Sequence, residues 1–313
     1  MNASKVKGYI LAAVAAATYG TNPAFAVPLY GEGGMNPTSV LLFRYGLCLP
    51  VLALMALFRG QSLVPRPGEL LPTAVLGILM AVSSLTLFEA FEYMNSGIAS
   101  TLLFIYPVLT AVLMSFFFHE PFRLTTGICL VVMAAGLAML LRSPEGGFSL
   151  SGLGCLLVFL SAITYAIYLV MTNVNRTIAS IPTVRLLFYQ FAIGAVMYAF
   201  ILGARGNFTL PAHSWGYLNL LALAILPSVI SLACTTEAIH RIGSTPTAIL
   251  GALEPLTAVI LSTFILGQTL TGREIAGGLL ILAATTLAVA ADPVDHVLLR
   301  VRKLFPRRSR TNN

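Results

Sequence analysis

Four ionisable side chains, Arg44, Glu89, Glu237 and Glu254, stand inside stretches of sequence that are otherwise apolar. A charge at the centre of a hydrocarbon layer costs about 2.5–3.5 kcal/mol on insertion scales, so each needs a partner, water or a ligand. Three acids and one base so placed can bind a cation, pass a proton, or pair with one another. Glu254 is the best situated. It falls about nine residues into its apolar run, roughly 14 Å at 1.5 Å per residue, near the middle of a bilayer. Pro255 beside it removes a backbone donor and leaves a carbonyl one turn earlier free to face a cavity. The alternative role is structural, a protonated acid hydrogen-bonded between helices.

Glu89 and Glu237 fall a turn inside the ends of their runs. There they suit gates or proton acceptors at two mouths, or interfacial residues paired with a neighbouring base such as Arg241. Arg44 lies six residues into its run. Its long side chain can snorkel to the interface from there, and a positional role is expected. Tyr19, Asn22, Tyr106, Tyr165 and Tyr168 are polar-tipped groups suited to lining a cavity, although aromatics in apolar helices commonly serve packing. An enzyme would need paired acids, metal ligands or a nucleophile dyad at workable spacing. His119, His213, His240 and His296 fall at loops or ends, and Cys48, Cys129, Cys155 and Cys234 sit apart within apolar runs. The expectation is no catalytic residue, no metal and no cofactor.

The elements that position these groups follow from composition. Of 313 residues, 58% are hydrophobic and 9% charged, with a mean hydropathy of +0.89. A soluble domain keeps about a quarter of its residues charged to hold its surface in water, so most of this surface must face hydrocarbon. Apolar runs separated by Gly, Pro, Asn and charged residues give ten helices, near 8–29, 38–58, 70–92, 97–118, 122–141, 150–172, 182–203, 214–239, 245–267 and 271–291. The first run is long enough to span, so it is read as an uncleaved helix although Ala15-Ala16-Ala17 imitates a cleavage site. Threading ten spans from a cytoplasmic N-terminus puts fourteen of the eighteen Lys and Arg residues on the cytoplasmic side and three outside. That bias places both termini inside, in a plasma or inner membrane. Residues 292–313 carry six basic and two acidic groups. Asp292-Pro293 can start a helix whose Val297, Leu298 and Val301 interleave with Arg300 and Arg302, a basic amphipathic tail suited to anionic lipid. The net charge of +7 owes more to this tail than to any nucleic-acid footprint.

The chain also repeats itself. A shift of 148 lays residues 89–120 on 237–268, so that Glu89-Ala90 meets Glu237-Ala238 and Pro107 meets Pro255. A shift of 145 lays Pro37-Thr38 and Leu41-Leu42-Phe43 on Pro182-Thr183 and Leu186-Leu187-Phe188, and a shift of 146 pairs Tyr19 with Tyr165. Five helices per copy is odd, so the second copy, 150–291, enters the membrane from the side opposite to the first, 8–141. The fold class is an all-α membrane protein of ten transmembrane helices in two inverted five-helix repeats, an architecture that places a substrate site at the midplane. Small residues at matching places, Gly136 with Ala134-Ala135 in the fifth helix and Gly277 with Gly278 in the tenth, let those two helices approach as the joint between repeats.

These residues resemble the EamA-type carriers of the drug/metabolite transporter superfamily over nearly the whole chain. The resemblance rests on Tyr19-Gly20-Thr21-Asn22-Pro23, on Arg44 early in the second helix, and on Glu254-Pro255-Leu256-Thr257-Ala258. The chain departs from the family's helix-ending Gly-Glu pairs, reading His119-Glu120 and Gly267-Gln268. Glu120 is accordingly expected at a helix terminus rather than in a functional role. The resemblance implies alternating access to a cavity lined by helices 1, 3, 4, 6, 8 and 9. The expected function is secondary transport of a small metabolite, by export of an amino-acid-like or amphipathic compound. The alternative is proton-coupled uptake of a cationic or quaternary-amine substrate, and a structural membrane protein or membrane enzyme is the reading from another class. Expected partners are the substrate, protons and lipid, in a monomer or homodimer.

Overall fold

The computed structural model describes residues 3–30, 33–94, 96–120, 124–140, 151–266, 272–273 and 275–288. The tail 292–313 lies outside the described residues. Among the described residues, ten apolar helical segments follow one another. Span 1 is Ala3–Tyr30, span 2 Pro37–Phe58, span 3 Leu70–Tyr93, span 6 Gly152–Val174, span 7 Thr183–Arg205 and span 8 Ser214–Ile242, and each of these six is long and apolar enough to cross a membrane. Span 4 comes in two pieces, Ser96–Leu103 and Tyr106–Phe118, and so does span 9, as Ser244–Leu250 and Leu253–Leu266. Span 5 is Leu124–Leu140 and span 10 Ile275–Ala288.

Local chemistry sets the ends and the breaks. Asn36 starts span 2 by accepting the Ser39 amide on its side-chain oxygen at 2.7 Å, with Pro37 in the first turn, where a missing N–H costs nothing. Pro107 and Pro255 lack the N–H that a continuous helix needs, and the helix breaks just before each, at Phe104-Ile105 and Gly251-Ala252, where the Gly251 carbonyl accepts instead from the Glu254 amide at 2.9 Å. Span 1, expected as continuous, breaks at Gly20-Thr21, ahead of Pro23, and short Thr21 N to Thr18 O and Ala24 N to Thr21 O bonds carry the chain through. In span 8 Pro227 is absorbed differently, by a π-helical turn over Ile225–Ile230.

The packing is that of two copies with exchanged roles. Span 3 packs along span 6, and the later part of span 8 along span 1. Span 4 meets span 6 as span 9 meets span 1, and span 2 packs against span 7. Individual bonds repeat as well. Ser83 donates to the Ser161 carbonyl at 3.1 Å, and Ser231, its equivalent, donates to the Ala15 carbonyl at 2.9 Å. Thr38 reaches Glu89 at 3.5 Å, and Thr183 reaches Glu237 at 2.7 Å. Exchange of the halves maps one bond onto the other, and an odd number of spans per half makes the relation an inversion across the membrane. Gly136 meets Gly277 where spans 5 and 10 cross, since a Cβ there would stand 2.8 Å from the Gly277 carbonyl. Outside the bundle, Leu57, Phe116, Val131, Val196 and Phe200 are at least 70% exposed, a surface made for hydrocarbon.

Candidate functional site

Spans 1 and 9 cross at their breaks. A Cβ at Gly20 would lie 2.4 Å from the Glu254 carbonyl oxygen, so only glycine lets the two backbones come this close. That contact sets Glu254 at the start of the second piece of span 9, facing a small cavity. Tyr19, Ala12 and Ala16 line it from span 1, Tyr106 from span 4, Tyr165 and Leu169 from span 6, Ser231 and Thr235 from span 8, and Thr247, Gly251 and Glu254 from span 9. Its volume is about 20 Å³, room for a single water. Among the described residues, no hydrogen bond to the Glu254 side chain is seen.

The tyrosines form the wall. The rings of Tyr106 and Tyr165 meet edge to face at 4.9 Å between centroids, and Tyr168 stacks behind Tyr165 at 5.9 Å. The Tyr106 hydroxyl approaches the Ala248 carbonyl at 3.4 Å, in space left by Gly251, where a Cβ would fall 1.8 Å from it. The short helix Ser244–Leu250 separates this cavity from a larger one of about 250 Å³. Lys5, Tyr9, Glu120, Arg241, Thr245 and Ile249 are among the residues lining the larger cavity, at the face where span 1 begins.

Arg44 corrects the expectation of snorkelling. It is 1% exposed and points into the bundle, because span 8 offers it partners. Its Nε donates to Ser228 Oγ at 2.6 Å, Nη1 to Asn22 Oδ1 at 3.3 Å and Nη2 to the Pro227 carbonyl at 3.4 Å. The π-turn that accommodates Pro227 presents that carbonyl. The guanidinium lies 5.8 Å from the Tyr19 ring and 5.7 Å from the Phe88 ring. Tyr19 thus lines the cavity on one side and lies against the Arg44 guanidinium on the other.

Two expected cavity residues stand one layer back. Asn22 holds Arg44, and Tyr168 is fully buried with its hydroxyl 3.4 Å from Gln190 Oε1. Span 3 supplies no residue to the small cavity, since Ser83 turns onto span 6 instead. Glu89 and Glu237 lie at opposite faces. Glu89 takes Arg205 from span 7 at 2.9 Å, and Glu237 takes Arg241 from its own helix at 3.0 Å. A buried pair, Glu69 with Arg185 at 3.2 Å, was not singled out from the sequence, nor were Ser231, Thr235 and Thr247 on the cavity wall. The i, i+4 spacing of Ser231 and Thr235 was the one readable signal.

The sequence profile of the EamA-like transporter family matches residues 6–142 and again 152–290. The chain is 25% identical over 252 residues to the uncharacterized transporter YdfC of Bacillus subtilis, covering 79% of this chain and 80% of that one. It is 21% identical to an uncharacterized transporter of Clostridium kluyveri, over 94% and 97% of the two chains. A solved crystal structure of 19% identity superposes with a TM-score of 0.75 over 90% of this chain and 96% of that one, which establishes the fold. With two copies of the profile end to end, ten apolar segments and bonds that repeat between the halves, this multi-pass membrane protein belongs to the EamA-like transporter family.

Proposed function

We propose that the protein is a secondary transporter that carries a small amphipathic compound bearing an amino or ammonium group, by alternating access through the Glu254 cavity. The observation that carries this reading is the Glu254 carboxylate, which faces a cavity near mid-bundle without a hydrogen-bond partner among the described residues. A desolvated carboxylate beside three tyrosine rings is a receptor for a cation: the carboxylate supplies the opposite charge, and the ring faces add cation–π attraction. Ser231, Thr235 and Thr247 add hydroxyls that fix orientation. Arg44, one ring behind, supplies the charge that the carboxylate of a zwitterion needs, which keeps amino-acid-like compounds in the set. A space of about 20 Å³ admits none of these, so the spans must part for substrate to enter.

The basic face, with Lys5, Lys7, Arg59, Arg66, Arg176, Arg185 and Arg241 against Arg205 and Arg273 opposite, is assigned to the cytoplasm of a bacterial-type inner membrane. The sequence carries no nucleotide-binding loop, so the energy comes from a gradient or from substrate concentration alone, and the likeness to EamA-type carriers favours export. Proton-coupled uptake of a quaternary amine is the second reading, supported by an acid and no base among the residues lining the small cavity. Proteoliposomes loaded with amine, amino-acid or anionic metabolites on one side test both. Export predicts efflux from the basic face with saturable dependence on amine-bearing compounds, whereas uptake predicts inward movement driven by an imposed proton gradient. Transport of anions alone would overturn both.

A further inference from the structure

We infer that Arg59 and Glu237 form the gate that closes the Lys5 face when the cavity opens to the opposite side, and that this gate stands open here. The inference rests on the alternating-access reading above. At the opposite face the closed counterpart is visible. Glu89 of span 3 accepts from Arg205, the last residue of span 7, at 2.9 Å, and Thr38 at the start of span 2 lies 3.5 Å from the same oxygen. The Arg205 bond joins the two repeats.

Exchanging the halves carries Glu89 to Glu237 and Thr38 to Thr183, which already bonds Glu237 at 2.7 Å. It carries Arg205 to the end of span 2, where Arg59 is the first residue past the helix. Strict register falls on Gly60, and the long arginine stem covers that one-residue offset. The loops that follow the two arginines are docked alike. After Arg59, the Leu63 carbonyl accepts from Tyr189 at 2.8 Å and the Val64 carbonyl from Arg185 at 3.0 Å, both on span 7. After Arg205, the Thr209 amide donates to Ser39 of span 2 at 3.0 Å, and Phe208 packs on Phe43. Arg59 is thus carried by the same scaffold as Arg205.

What differs is the acid's side. Arg59 is exposed, and Glu237 is held by Arg241, one turn along its own helix. Span 7 packs along span 3, but span 2 packs on span 8 mainly through Ser214–Ala224 and the π-turn, while Ser231–Ile242 packs chiefly on span 1. The cavity of about 250 Å³ opens at this face and is lined in part by Arg241 and Ile242. When the repeats exchange conformations, Ser231–Ile242 swings toward span 2 and Glu237 passes from Arg241 to Arg59. Trading one half-exposed arginine for another changes little free energy, as a gate between two populated states requires.

The test uses the full chain in membrane vesicles with its four cysteines replaced by alanine, since Cys234 lies close to Glu237, and with a protease site between residues 144 and 147. Arg59→Cys with Glu237→Cys should cross-link slowly with a bis-maleimide. Adding Arg205→Ala, which opens the other gate, should raise the cross-linking rate about fivefold, the shift expected from losing one half-exposed ion pair. Thr235→Cys on the cavity wall reports the cycle separately, through labelling by an impermeant thiol reagent applied at the Arg205 face. Faster labelling without faster cross-linking overturns the gate and leaves alternating access standing. Equal cross-linking with and without Arg205→Ala overturns the gate as a conformational contact. If neither rate moves, both the gate and the carrier cycle fail.

Discussion

Alanine at Gly20 would place a methyl 2.4 Å from the Glu254 carbonyl oxygen and 2.9 Å from the Thr257 Cβ. Comfortable contact between such atoms begins at about 3.5 Å, so spans 1 and 9 would have to part by about 1 Å at the point that aims Glu254. Overpacking of this kind costs about 1–3 kcal/mol. Gly46, inside the span 2 helix, is the control: apart from its chain neighbours and its own helix backbone, no described atom lies within 4 Å of a Cβ there. Alanine in a helix interior is favoured over glycine by about 0.5–1 kcal/mol. The same substitution should therefore lower stability at Gly20 and hold or raise it at Gly46, a separation of about 1.5–4 kcal/mol. Thermal unfolding of the detergent-solubilised protein, followed by dye access to Cys48 and Cys129, should place Gly20→Ala several degrees below the parent and Gly46→Ala at or above it. Equal melting of the two variants would refute the close crossing of spans 1 and 9.

Arg44→Lys should lower the folded yield nearly as much as Arg44→Met, by about 2–4 kcal/mol, because three donors on one nitrogen cannot span Ser228, Asn22 and the Pro227 carbonyl, which the planar guanidinium reaches from Nε, Nη1 and Nη2; a lysine variant that expresses and melts like the parent would contradict the buried fork. Ser83→Ala and Ser231→Ala should each cost about 1 kcal/mol and add in the double variant, being equivalent bonds in different places, as measured by the same melting assay. A phosphatase reporter inserted at 206–213 should be active, and one inserted at 61–66 silent; the reverse pattern would overturn the assignment of the basic face to the cytoplasm.

The ten segments and their repetition were legible because hydropathy and a nearly constant offset survive in sequence without any knowledge of packing. The breaks in spans 4 and 9 before Pro107 and Pro255 were not legible, since hydropathy reads both runs, 97–118 and 245–267, as continuous. Arg44 was misread for a reason that applies to any lone charge near a helix end. Its depth allowed both snorkelling and burial, and the nearest partner, Ser228 Oγ at 2.6 Å, lies 184 residues away in sequence. The two gate acids show the same limit. Arg241 was visible beside Glu237 because helical spacing is local, while Arg205, which holds Glu89, comes from another span. Tyr168 and Asn22 were placed with the cavity tyrosines since residue type carries no record of which helix face turns inward.

The central claim is that Glu254 receives the charged nitrogen of a substrate, and ligand-induced thermal stabilisation across a metabolite panel tests it most directly. The purified protein should be stabilised by compounds bearing an amino or quaternary ammonium group and not by their neutral or acidic isosteres. Glu254→Gln, which keeps shape and hydrogen-bonding capacity but removes the charge, should retain the parent's melting temperature and lose that stabilisation. An undiminished shift in the Glu254→Gln variant, or stabilisation of the parent only by compounds without such a nitrogen, would contradict the account.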